Sequence, residues 1–202
     1  GLKWYTIDEL KEKASQVEYD SLYDELKSHT IRIDEIDQEI KYRQGLINEL
    51  IPWLPLESEI SDLSSTPTVK VLTGTIPTKK LSDVSIALEA YDGMHFEAVS
   101  EVKNNTYIVA LVLNEQYNDV IEVLRQNSFN NVTIPGSDTA KVETENHEAA
   151  ILSLTQEKEE VNSKINANTK RIDDIELAYE YLSNQKLELS AMENFIGLKE
   201  VD

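Results

Sequence analysis

The chain has 202 residues, no cysteine and a formal charge of -19, from 19 basic and 38 acidic side chains. So acidic a surface repels nucleic acid and anionic lipid, both of which are read through phosphate by Lys and Arg, and it steers basic partners. Lack of cysteine excludes a disulfide framework, a thiolate nucleophile and a cysteine-ligated metal. No apolar run reaches the roughly 18 residues that span a bilayer. Gly1 to Tyr5 lead into a polar helix rather than a signal sequence, so a cytosolic setting is expected.

Thr6 and Glu9 form a T-x-x-E capping box that opens a helix expected over 6–51. Ile7, Leu10, Ala14 and Val17 make a first apolar stripe, which reaches Leu22 by a step of five, so a slip or kink is expected near Tyr19. From there Leu22, Leu26, His29, Ile33, Ile36, Ile40, Arg43, Ile47 and Leu50 recur at alternating steps of four and three. Pro52 and Pro55, which lack amide donors, stop the helix. A second helix, expected over 146–196 with Gly197 at its end, repeats the rhythm. Its residues are Ile151, Leu154, Lys158, Val161, Ile165, Asn168, Ile172, Ile175, Tyr179 and Leu182. Steps averaging about 3.5 residues mark helices that supercoil on a partner. The two are read as antiparallel arms of one coiled coil, with residues 52–145 as an α/β lobe at its tip. Setting Ile51 opposite Glu148 puts Ile33 near Ile165, Arg43 near Gln156 and Glu157, and His29 near Lys170.

Within the lobe, 53–63 is short and amphipathic, and the period then changes to two. Strands are expected over 68–76, 95–103, 106–113 and 129–134, with the middle pair joined at Asn104-Asn105. Pro77-Thr78 opens a helix carrying Leu81, Val84, Leu88 and Tyr91, and Asn114 caps another carrying Tyr117, Val120, Ile121 and Leu124. The order β-α-β-β-α-β is the ferredoxin-like plan, so the fold class is α+β with the first and third strands central. The third strand, 107–113, is apolar on both faces, as a covered central strand should be. The second places Phe96, Ala98 and Val102 on one face and Glu97 and Glu101 on the other, as an edge would. Two helices cover one face of such a sheet. The other must be covered by the chain's own 53–63 segment or the arm tips, or by a partner protein seated around Leu72, Ile108, Ala110 and Val112.

Catalytic signals are lacking. His29, His95 and His147 share no metal-ligand spacing. Gly74 stands alone, without the second glycine and Lys-Ser/Thr of a phosphate loop, and reads as a bulge or turn. Asn131-Val132-Thr133 matches a glycosylation sequon with no secretory signal beside it. The carboxylate runs 157–160 and 173–176 read as solvated helix faces. Neither cofactor nor metal is expected, and the chain is read as non-enzymatic.

The heptad arm ending in Ile51-Pro52-Trp53-Leu54, the strand Val69-Lys70-Val71-Leu72-Thr73-Gly74-Thr75-Ile76-Pro77 and the acidic return arm together resemble a known family. It is the cytoplasmic amino-terminal region of subunit I of bacterial and archaeal V-type ATPases, equivalent to eukaryotic subunit a. There an arm with a "PW"-type break leads into a strand of the form V-x-V-x-x-G-x-(V/I)-P. The resemblance implies a stator fragment: a helical neck and distal lobe that hold the peripheral-stalk subunits E and G at the cytoplasmic face. It also implies a longer parent chain, anchored in the membrane by a half that carries the ion path and its essential arginine. The residues of that half and of a proximal lobe are not in this sequence, so no ion-path residue carries over. Three rivals stand beside it. A ligand-sensing or scaffold ferredoxin-like domain on a coiled coil would want a glycine-rich strand-helix junction. An RNA-gripping arm would want basic helices. A chromosome-organising hinge would want a dimeric head on longer arms.

Overall fold

The capping box at Thr6 is made in both directions. The Thr6 amide donates to Glu9 Oε2 at 3.1 Å, and the Glu9 amide donates to Thr6 Oγ1 at 3.2 Å. From there α1 (Ile7–Leu50) runs unbroken for 44 residues, so the expected slip near Tyr19 does not break the helix. The computed structural model describes residues 4–199. The elements that follow are β1 (Val69–Pro77), α2 (Leu81–Leu88), β2 (Met94–Val102), β3 (Asn105–Leu113), α3 (Tyr117–Gln126), β4 (Asn130–Asn131) and α4 (Ala140–Lys199). The architecture is therefore mixed: a long helix, a four-stranded antiparallel sheet with two short helices, and a second long helix.

Helix α4 starts six residues ahead of the expected 146, because a local cap places it there. Thr139 Oγ1 accepts from the Val142 amide at 3.2 Å, and Glu143 Oε1 accepts from the Ser137 and Asp138 amides, both at 2.9 Å. These bonds satisfy donors that a helix start otherwise leaves unpaired. Gly136 makes the turn at φ 113°, where a side chain would be strained and a Cβ would sit 2.6 Å from Glu143 Cδ. At its other end α4 passes through Gly197 and reaches Lys199, so that glycine does not stop it.

The sheet order is β2-β3-β1-β4, which puts β1 and β3 at the centre as the sequence suggested. Lys103 and Asn104, at φ 50° and 65°, form the two-residue turn between β2 and β3, one position earlier than Asn104-Asn105. A bulge at Val99 changes the phase of β2: Ala98 pairs with Ile108, but Ser100 pairs with Tyr107. Side chains beyond it therefore swap faces. Glu101, paired with Thr106, joins the face of Phe96 and Ala98, and Val102 leaves it, the reverse of the simple alternation. Strand β4 is only two residues long, although Val132 extends the tie by donating its amide to Thr73 O at 2.9 Å. Asn114 does not cap α3. Its amide donates to Thr68 O, and its side chain donates to Pro67 O.

One face of the sheet packs under α2 and α3. Its core is Leu72, Ile76, Ile108, Ala110 and Val112 from the strands with Val84, Leu88, Val120 and Leu124 from the helices. The other face carries a second core of Leu50, Trp53, Leu56, Val109, Ile134 and Ala140, with Ile60 and Leu63 against it. The chain's own 51–63 segment thus supplies the cover for that face, and its anchor is Trp53, fully buried and edge-on to Tyr107 at 5.3 Å.

The chain divides into two compact units. One comprises residues up to Gln38 and from Leu154 onward, and the other is Glu39–Ser153. The division falls inside both long helices.

Candidate interaction surfaces

In the first unit α1 and α4 lie side by side and run opposite ways. The polar ties between them fix this direction, since rising numbers on α1 meet falling numbers on α4. Glu12 accepts from Lys186, Glu18 from Arg171, Glu25 from Asn168 and Asp37 from Lys158. Arg32 donates to Glu157, and Tyr19 OH donates to Glu176 Oε1 at 2.9 Å. Two ties are forked. Arg32 reaches both Glu157 oxygens at 3.0 and 2.7 Å, and Arg171 reaches both Glu18 oxygens at 2.7 and 3.0 Å. Such paired bonds fix orientation as well as distance. The guanidinium of Arg171 holds the Glu18 carboxyl below the usual carboxylate range, and that of Arg32 does the same to Glu157. Tyr23 and then the Glu176 carboxylate push the Tyr19 phenol up.

Leu22, Leu26, His29 and Ile33 are half-buried and Ile36 is buried. On α4, Leu154, Lys158, Ile165 and Asn168 are half-buried, and Val161, Ile172 and Ile175 are buried. Tyr179 and Leu182 depart from the pattern and are exposed. The alignment also differs from expectation, by roughly one heptad. Arg32, not Arg43, takes Glu157. A heptad pattern tolerates a slip of one repeat with its apolar positions still matched, and the flanking charges choose among the slips. Beyond the seam, a groove of about 550 Å³ lies between the helices, lined by Tyr19, Ile175 and Tyr179 with Glu12, Glu176 and Glu180.

The remaining seam positions belong to the second unit. Ile40, Arg43, Ile47 and Ile151 are half-buried, and Leu50 is buried in the second core. Arg43 Nη1 lies 3.1 Å from His147 Nδ1, and the same guanidinium donates to Glu39 Oε1 at 3.3 Å. An arginine cannot accept, so this geometry makes Nδ1 the acceptor and places the imidazole proton on Nε2. His147 is thereby a structural residue, while His29 is half-buried and His95 exposed. Among the described residues no group of His, Asp or Glu is arranged to hold a metal, and no helix is long and apolar enough to cross a membrane.

Leu72, Ile108, Ala110 and Val112, expected as a partner face, all lie in the core beneath α2 and α3 and offer nothing to a partner. β3 is apolar on both faces, so its own residues do not tell which face the helices take. Gly74 is neither a bulge nor part of a loop. It pairs regularly with Ile108 and Asn131, and a Cβ there would meet Asn130 O at 2.2 Å and the Phe129 ring at 2.5 Å. Its role is to let β4 close on β1. Among the described residues, the buried Trp53 Nε1 and Thr144 Oγ1 have no hydrogen-bond partner.

No protein-family model matches the sequence, and no curated protein matches it. Among solved structures, the chain is similar to the cytoplasmic N-terminal domain of subunit I, homolog of subunit a, of V-ATPase. The TM-score is 0.46 at 10% identity, over 87% of this chain and 73% of that one.

Proposed function

We propose that the chain is a non-catalytic stator segment of a rotary V-type ATPase. In this reading α1 and α4 are the arms, 6–51 and 146–196, of an antiparallel coiled coil. The α/β lobe of 52–145 follows the ferredoxin-like plan and anchors the peripheral-stalk subunits E and G. The parent chain is rooted in the membrane, with this region at its cytoplasmic face, and the complex couples ATP to cation transport. The observation that carries the reading is the ladder of ties from Glu12–Lys186 to Asp37–Lys158, on helices of 44 and 60 residues. Beside it stands the likeness of Ile51-Pro52-Trp53-Leu54 and Val69–Pro77 to the family's break and strand.

The mechanical logic follows from the task. A rotating shaft puts torque on the catalytic head, and unless something opposes it the head turns with the shaft and the free energy of hydrolysis is lost. Two hydrogen-bonded helices locked by forked ion pairs oppose bending and sliding in a way that a single helix or a loop does not. The acidic surface suits basic stalk ends. Titrating a purified E–G pair into the 202-residue chain tests the assignment. Saturable binding at or below tens of micromolar is expected, and no binding in that range contradicts it.

A further inference from the structure

Strand β2 forms one edge of the sheet, and part of its backbone is unpaired. The Leu113 amide donates to Gly93 O at 2.8 Å, which sets the phase of the β2–β3 ladder. In an antiparallel pair the bonds fall on alternate residues, so His95 and Glu97 direct their backbone groups to β3. Those of Met94, Phe96 and Ala98 then point away from the sheet, and among the described residues no other backbone group bonds to them. The opposite edge, β4, is two residues long, so β2 is the long free edge. The end of β2 nearest the turn is different. A bulge at Val99 breaks the regular spacing, and Ser100 Oγ donates to Pro52 O at 2.5 Å. The regular free stretch is therefore 94–98, with Phe96 at its midpoint. Such an edge is a template for another strand.

The residues around Phe96 are complementary to themselves. Consider a second copy laid antiparallel, with a twofold axis at Phe96. Phe96 then faces Phe96 of the second copy, and Met94 and Ala98 face each other on either side. These are the hydrogen-bonded pairs, because their backbone groups point outward. His95 of each copy faces Glu97 of the other, in the non-hydrogen-bonded pairs whose side chains lie closest. Both side chains are exposed. An axis at Glu97 would instead oppose two carboxylates, and an axis at His95 would oppose two imidazoles. We propose that two copies of the chain associate through β2 in this register, which carries the sheet of one lobe on into the other. So short a strand buries less than a standard interface, and the dissociation constant is expected to be on the order of 100 μM. The stator reading names no edge of the lobe, so stalk binding and self-association succeed or fail separately.

Sedimentation equilibrium of the full chain, from about 10 μM to about 1 mM in physiological salt, is expected to show a reversible monomer–dimer equilibrium. Ala98→Pro removes an outward amide at an edge, where proline is tolerated, and should abolish the dimer with the helical signal unchanged. Glu97→Lys and His95→Glu each set like charges opposite one another and should weaken it by about threefold or more. The two together restore opposite charges and should restore the dimer. The chain has no cysteine, so register can be read directly. When His95→Cys and Glu97→Cys chains are mixed under mild oxidation, each should link to the other faster than to itself. The proposal is overturned by a monomer at every concentration, by a dimer that Ala98→Pro leaves intact, or by charge variants that fail to rescue each other. Faster linking of like chains than of mixed ones would overturn it too. A synthetic 92–100 peptide should bind the edge better than the same residues in scrambled order. Equal binding would make a foreign strand the occupant and would also overturn it.

Discussion

Glu143 shows how one side chain sets where an arm begins. Its carboxylate accepts the Asp138 and Ser137 amides, and those bonds hold its pKa below the usual range. A carboxyl whose pKa is lower in the folded chain than in the unfolded one adds stability above the unfolded pKa. That contribution disappears as pH falls through the folded value. The stability of Glu143→Gln should therefore approach that of the parent as pH drops below the ordinary carboxylate range and lag it at neutral pH, in denaturation curves taken across that interval. Gly74 makes a steric claim: Gly74→Ala must push Asn130 or the Phe129 ring aside and should cost about 1–3 kcal/mol in urea unfolding. Thr144 makes the opposite claim. Its buried hydroxyl has no partner, so Thr144→Val should be neutral or stabilising by up to about 1 kcal/mol in the same assay.

At the scale of elements, the features legible in the sequence are those whose physics is local. The Thr6–Glu9 box and the stop at Pro52 both depend on residues within one or two turns of each other. The places where the reading failed depend on contacts between distant segments. The bulge at Val99 has no signature in its own residues, and without it the faces of Glu101 and Val102 are assigned backwards. The inward direction of Leu72 and Ile108 depends on which face α2 and α3 choose. The end of the seam is likewise a tertiary fact: Ile172 and Leu182 look alike in the heptad, but one is 4% and the other 44% exposed. Ile172→Ala should cost about 2–4 kcal/mol, and Leu182→Ala no more than about 0.5, by thermal melts followed on the helical signal.

For the molecule as a whole, the stator proposal asks for two properties: helices that cannot slide past each other and a lobe with its own core. The lobe's sheet is packed on both faces, by α2 and α3 on one and by the Trp53 cluster on the other, so it needs no partner to complete it. The long helices run opposite ways with cross-ties from Glu12–Lys186 to Asp37–Lys158, and that antiparallel pairing is the account's central claim. The chain has no cysteine, so spin labels can be placed cleanly by single Cys substitutions. Double electron–electron resonance between labels at Asp37 and Lys158 should give a short distance, under about 20 Å, and between Asp37 and Glu180 one longer by roughly 30 Å, the rise of the intervening helix. The reverse ranking, or equal distances for the two pairs, would contradict it.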